Sequence, residues 1–184
     1  DGLNLTWESL EGIVKHNGIF NNKLPYHLNN YIKTHNLELK LQPFLESQIA
    51  SISDDIAYNN HDIEDAVRAN LINLDQLSEV IFFKNIILEL QDQYKNISDK
   101  QLLYQVLRHS MSNMINDIYK TTSKNLINKY HSIDEIQKEN IFLVSYSGEM
   151  KKNCNIIKKF LNTYVYNHKN LLEKRNYSKN VVTK

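Results

Sequence analysis

Asp54, Tyr58, His61, Asp62 and Asp65 have the side chains and the spacing to do chemistry. Drawn at about 100° per residue, the segment 45–67 puts Leu45, Ile49, Ile52, Ile56, Ile63 and Val67 in one narrow stripe. Opposite lie Ser47, Ala50, Ser51, Asp54, Tyr58, His61, Asp62 and Asp65. The polar face has two halves. Its first turns carry small residues, which leave room for another element to approach. Its later turns gather three carboxylates, an imidazole and a phenol, and no Lys or Arg lies on that face before Arg68. Solvated helix faces usually alternate in sign. Small residues followed by carboxylates of one sign suit a helix that lines a cavity and gives an oxygen ligand to a cation. Oxygen ligands suit Mg²⁺ or Mn²⁺, and a mixed His/carboxylate set also suits a transition metal. The same acids, Asp54, Asp55, Asp62, Glu64 and Asp65, equally fit a face that is simply solvated. The pattern alone leaves both readings open.

The elements that must hold these residues are long helices. With 4 Gly and 2 Pro in 184 residues, the chain has few breaks. Asn4 or Thr6 can cap a helix through Trp7, Leu10, Ile13 and Val14, and Asn17-Gly18 can end it. A loop over 21–25 and a weaker helix over 26–35 follow. Pro43 opens the segment carrying Asp54, which ends at Asn70 or Asn73. A short turn covers 74–77. The segment 79–94 reads as helix, although Val80 to Phe83 would also pass as a strand. Ser98 caps the longest helix, with Leu102, Val106, Met111, Ile115, Ile118, Leu126 and Ile127 at threes and fours. Ser132 to Glu135 is a capping-box pattern. Residues 141–144 read as irregular, Ser147 caps a helix reaching Val165, and 168–169 breaks before a last helical stretch. We expect an all-α multi-helix bundle, one mostly helical region over 1–184, with no repeat and no linker.

Composition excludes several classes. The 22 Lys+Arg and 21 Asp+Glu leave a net charge of +1, so there is no strongly basic arm and no acidic tail. A single cysteine, Cys154, excludes an intramolecular disulfide and a Cys-rich zinc module, and suits a reducing, cytoplasmic setting. No apolar run approaches the ~20 residues that span a bilayer, so no membrane partner is expected. Many Asn and Lys read as surface filler. The basic C-terminal region, with Lys151, Lys152, Lys158, Lys159, Lys169, Lys174 and Arg175, fits a solvated face. It also fits a single-stranded nucleic-acid surface, with Tyr164, Tyr166 and Tyr177 as stacking rings. His16 fits either a phosphate contact or a favourable charge at a helix end. Arg108 fits an ion pair, or a reach toward a nucleotide phosphate or a neighbouring subunit.

Three stretches together resemble one family. Asp54-Asp55-Ile56-Ala57-Tyr58-Asn59-Asn60-His61-Asp62-Ile63-Glu64-Asp65 resembles the fourth motif of the HD-domain deoxynucleoside triphosphate triphosphohydrolases. The opening from Leu3-Asn4-Leu5-Thr6-Trp7 to Lys15-His16-Asn17-Gly18 is similar to the bacterial dGTPase-like branch of that family. Residues 147–168 resemble that branch's C-terminal region, so the likeness covers nearly the whole chain. It implies the C-terminal part of an HD-domain phosphohydrolase fold, in an enzyme that splits a dNTP into deoxynucleoside and triphosphate. It implies a divalent metal held by a His, a His-Asp pair and a later Asp, and Asp54 matches the later Asp. It places Tyr58 and Asp62 along the deoxyribose: Tyr58 leaves no room for a 2′-hydroxyl, and Asp62 accepts from the 3′-hydroxyl. Lys15 is implied as a phosphate contact, with His16, Asp55, His61 and Arg108 as weaker candidates. Homo-oligomers are implied as well, in line with long amphipathic helices whose apolar stripes need cover.

The family's first His, its His-Asp pair and its acid-base His belong upstream of the Leu3 segment. His61-Asp62 falls after Asp54 and is not assigned as the metal pair. With Asp1 in place of Met, the chain reads as a piece lacking an N-terminal portion and inactive alone. A non-catalytic helical subunit that binds a nucleotide or a partner is the alternative.

Overall fold

The computed structural model describes residues 3–20 and 23–183, and among them there is no β-strand. Residues 21 and 22, part of the expected 21–25 loop, lie outside the described residues. Chain contacts divide the rest into two compact units. The first comprises the described residues up to Asp55 together with Ile118–Ser145. The second comprises Ile56–Asp117 together with the described residues from Tyr146 onward. Each unit joins stretches far apart in sequence, so no single linear boundary marks either.

In the first unit, α1 (Trp7–Lys15) is capped by Thr6, whose hydroxyl accepts from the Ser9 amide. Gly18 follows its end at φ 103°, where a Cβ would be strained, and its amide donates to the Lys15 carbonyl at 2.7 Å. Trp7 donates to the Asn36 carbonyl at 2.7 Å and lies edge-on to Phe44. α2 (Tyr26–Tyr31) stops short of the expected 35. The Thr34 hydroxyl bonds the Tyr31 carbonyl and His35 stacks on the Tyr31 ring, which turns the chain back. α3 (Leu45–Arg68) begins in this unit two residues after Pro43, which lies outside its first turn, and it ends as expected, with Asn70 at φ 53° just beyond it.

The first turns of α3 differ from the expected stripe. Ile49 is 51% exposed, while Ser47 and Gln48 are buried. Gln48 explains the rotation: its Oε1 accepts from the amides of Leu143 and Val144 at 2.8 and 3.1 Å, and its Nε2 donates to the Pro43 carbonyl at 2.9 Å. One amide side chain thereby satisfies three buried backbone groups of irregular chain, which an isoleucine could not do. Ser47 meets α1, its hydroxyl donating to the Gly12 carbonyl at 2.8 Å. A Cβ on Gly12 would come within 3.0 Å of that hydroxyl, so both residues must be small for the helices to approach. This is the room that the small residues of α3 led us to expect.

In the second unit, the remainder of α3 joins α4 (Leu74–Leu77), α5 (Ile81–Gln93), α6 (Asp99–Leu126), α8 (Gly148–Leu161) and α9 (Lys169–Val182). α6 runs on into residues of the first unit, which also holds α7 (Ile133–Gln137). α4 has a complete capping box between Asn73 and Gln76. Residues 81–83 are helical, which settles the strand alternative. The core is apolar: Ile63, Leu77, Phe83, Leu90, Val106, Met114 and Ile157 have no exposed surface. Each such side chain contributes roughly 1.5–3 kcal/mol by leaving water. The buried face of α6 is Leu102, Leu103, Val106, Leu107, Ser110 and Met114, while Ile115 and Ile127 of the expected stripe are exposed. Between α8 and α9, Asn162–Tyr166 forms a π turn that no sequence spacing announced. Among the described residues, no helix is long and apolar enough to cross a membrane.

Candidate functional site

The first unit contains a cleft of about 910 Å³ lined by Leu5, Glu8, Ser9, Glu11, Gly12, Ile13, His16, Phe44, Glu46, Ser47, Ala50, Asp54 and Ile133. Its ionisable lining is acidic apart from His16, with no Lys or Arg, so its electrostatics favour a cation over an anion. Asp54 is exposed on this wall. Its hard oxygen donors fit Mg²⁺ or Mn²⁺. Among the described residues, no three His, Cys, Asp or Glu side chains converge as a metal cage.

Lys15 is placed differently from a phosphate contact. It has no exposed surface. Its ammonium contacts Glu11 at 2.5 Å and donates to the carbonyls of Glu38, Leu41 and Gln42 at 3.1, 3.0 and 3.4 Å. An ammonium has three donors, and all find oxygen within the chain. Glu11 is equally buried, and among the described residues its oxygens receive no well-aligned hydrogen bond besides the Lys15 contact. The pair fixes α1 against residues 38–42. His16 is half-buried beside it, with Nδ1 2.8 Å from the Ile13 carbonyl and Nε2 2.9 Å from the Asn17 amide nitrogen.

Tyr58 and Asp62 lie one and two four-residue steps beyond Asp54 on the unbroken α3, at a rise of about 6 Å per step. Tyr58 is 68% exposed, a ring free to cover a flat ligand. Asp62 is half-buried and accepts a hydrogen bond from the Tyr166 hydroxyl. Burial, then the bond to Asp62, pushes the Tyr166 hydroxyl up to about 12. Two residues earlier, the Tyr164 hydroxyl donates to Glu79 at 2.8 Å, and that bond raises its pKa. The hydroxyls of two of the three proposed stacking tyrosines, Tyr164 and Tyr166, are thus engaged by carboxylates, while Tyr177 is exposed.

The weaker candidates are scattered. Asp55 and His61 are exposed on α3, and His61 lies 3.9 Å from Glu64. Arg108 is exposed on α6, lining a second-unit groove with Tyr104, Met111 and Ile115. Arg68 pairs with Glu64 at 3.1 Å and donates to the Tyr104 hydroxyl, and that bond is the main cause of its raised pKa. Cys154 is buried. Sequence spacing missed Glu11, Gln48 and the bond from Tyr166 to Asp62. A carboxylate and a lysine four apart in α1 were a visible signal for the first. The other two depend on partners about 95 to 104 residues away.

No family model matches the chain. Among curated proteins, it is 40% identical over 90% of its length to the deoxyguanosinetriphosphate triphosphohydrolase-like protein of Rickettsia rickettsii (strain Iowa), and covers 44% of that protein. The values are the same for the protein of that name from Rickettsia prowazekii (strain Madrid E). The one from Rhizobium meliloti (strain 1021) is 33% identical over the whole chain, which covers 47% of it. The chain spans about half the length of these relatives, matching their C-terminal part. At this identity over nearly all of its residues, the chain is similar to the C-terminal part of deoxyguanosinetriphosphate triphosphohydrolase-like proteins.

Proposed function

We propose that these residues form the C-terminal part of a metal-dependent dNTP triphosphohydrolase that releases a deoxynucleoside and triphosphate. The supporting observation is the order along α3: an exposed Asp54 on an acidic cleft wall, then an exposed Tyr58, then a half-buried Asp62, at four-residue steps. Asp54 would be one carboxylate ligand of a divalent cation, which supplies Lewis-acid polarisation of a phosphoryl oxygen when bound. Tyr58 covers one face of the sugar and excludes a 2′-hydroxyl. Asp62 accepts from the 3′-hydroxyl and orients the sugar. Lys15, with its donors engaged inside the chain, is left out of the phosphate-binding set.

The remaining metal ligands would come from outside these 184 residues. Turnover is therefore expected from the full-length protein and not from this segment by itself. The test is Asp54→Ala in the full-length protein, assayed for metal-dependent release of triphosphate. The expected result is a loss of at least a hundredfold, in line with removal of a group essential to metal-site chemistry. Undiminished turnover would remove Asp54 from the site. Nucleotide binding without turnover in the unsubstituted protein would favour a non-catalytic nucleotide-binding role.

A further inference from the structure

The Tyr166 hydroxyl reaches Asp62 across 104 positions of sequence, and the backbone is built to deliver it. α8 ends at Leu161, and the next five residues widen into a π turn closed by the Asn167 amide on the Asn162 carbonyl at 3.3 Å. The Asn167 side chain adds a second bond to that carbonyl at 2.9 Å. Short π segments cost hydrogen-bond geometry and are frequent at functional sites. This one is pinned at three successive residues. Tyr164 bonds Glu79 and packs on Phe160 with ring centres 4.8 Å apart, Val165 is buried, and Tyr166 bonds Asp62.

We infer that Tyr166 is a positioning residue. Its hydroxyl, delivered by the π turn, fixes the Asp62 carboxylate in the orientation that accepts the 3′-hydroxyl of a bound deoxynucleotide. The inference rests on the proposed place of Asp62 beside the sugar. A carboxylate offers about four acceptor sites, so one bond from Tyr166 leaves capacity for a second donor. A neutral phenol also leaves the charge of Asp62 in place, where a lysine or arginine would offset it. With its hydroxyl held protonated to about 12, Tyr166 is a donor throughout the physiological range. An aspartate with one oxygen held loses less rotamer freedom when the sugar arrives, which favours binding.

The test uses the full-length protein with Mg²⁺ or Mn²⁺ and two non-hydrolysable nucleotides, a 2′-deoxy α,β-imido triphosphate and its 2′,3′-dideoxy counterpart. Binding of both is measured by calorimetry. A hydrogen bond to a charged acceptor predicts a preference for the 3′-hydroxyl of about tenfold or more in the unsubstituted protein. Asp62→Asn should abolish the preference. Tyr166→Phe, which removes one oxygen, should narrow it to about threefold or less, and should add nothing to the preference lost in Asp62→Asn. Tyr164→Phe frees the other anchor of the same turn and should keep the preference. This separates positioning from general loosening, even where melting temperature falls.

Equal weakening of both nucleotides by Tyr166→Phe, or a full preference retained in it, overturns the inference. Release of triphosphate is measured alongside. Turnover with the preference unmoved by Tyr166→Phe leaves the hydrolase reading standing and the inference fallen. A preference lost in Tyr166→Phe without turnover does the reverse. Equal binding of the two nucleotides by the unsubstituted protein, or no binding, removes Asp62 from the sugar and the inference with it.

Discussion

The two units are held together by different physics. In the first, the buried residues include Glu11, Lys15, Gln42, Ser47, Gln48 and Gln137, beside Leu37, Leu143 and Val144. In the second, buried Asn59, Asn60 and Ser110 sit within a large apolar set running from Ile56 to Val165. Directional bonds at a few atoms order the first unit. Many interchangeable contacts order the second. A polar interior cannot shed one partner cheaply, because the remaining group stays buried and unsatisfied. An apolar interior loses stability in proportion to the atoms removed. The first unit should therefore respond to single substitutions sharply, and the second gradually.

The largest effect should come from Lys15. Lys15→Met leaves Glu11 buried without its cation, at a cost of about 3–5 kcal/mol. Hydrogen exchange should show the loss in α1 and residues 38–42, and a second substitution, Glu11→Leu, should recover much of it. If Lys15→Met alone leaves exchange in α1 unchanged, the pair does not order this unit. Next is Gln48→Leu, which keeps volume but strands the amides of Leu143 and Val144. Denaturant unfolding should show a loss of about 2 kcal/mol or more. A loss below half of that would mean that the 143–144 segment is held by apolar contacts after all.

The second unit should be milder. Ile63→Val removes one methylene from a fully buried site and should cost about 1 kcal/mol. A cost like that of Lys15→Met would erase the contrast. The smallest effect concerns Tyr166. Its pKa rises from an unfolded value near 10 to about 12 in the folded protein. Folding thus favours the protonated phenol. The stabilisation is complete below pH 10 and is lost as pH climbs from 10 through 12. Half-exposure limits it to about 1 kcal/mol. Tyr166→Phe should lack that part of the alkaline loss, read as the difference between the two unfolding curves over this range.

Much of the fold was legible because its signals are local. Thr6, Ser98, Ser132 and Ser147 mark helix starts through bonds made within three residues, whereas Asn73, read as a helix end, caps the next helix instead. Gly18 and Asn70 mark helix ends by backbone sterics. The face of each helix was less legible. α3 turns Ile49 outward because Gln48 serves irregular chain at 143–144, a need that periodicity does not record. The π turn was hidden for a related reason: it shifts register by one residue where the pattern reads as continuous helix. For the candidate site, spacing placed Asp54, Tyr58 and Asp62 on one helix, as the structure has them, and their proposed roles come from family likeness. Lys15 was not separable from a ligand-binding lysine, since its partners are backbone carbonyls of residues 38, 41 and 42, which carry no side-chain signature.

The proposed reaction is triphosphohydrolysis. Its most direct measurement is product analysis on the full-length protein, with a panel of dNTPs and a divalent metal. Equimolar deoxynucleoside and inorganic triphosphate are expected, with ribonucleotides excluded by Tyr58. Deoxynucleoside monophosphate with pyrophosphate, deoxynucleoside diphosphate with phosphate, or no turnover of any dNTP would contradict it.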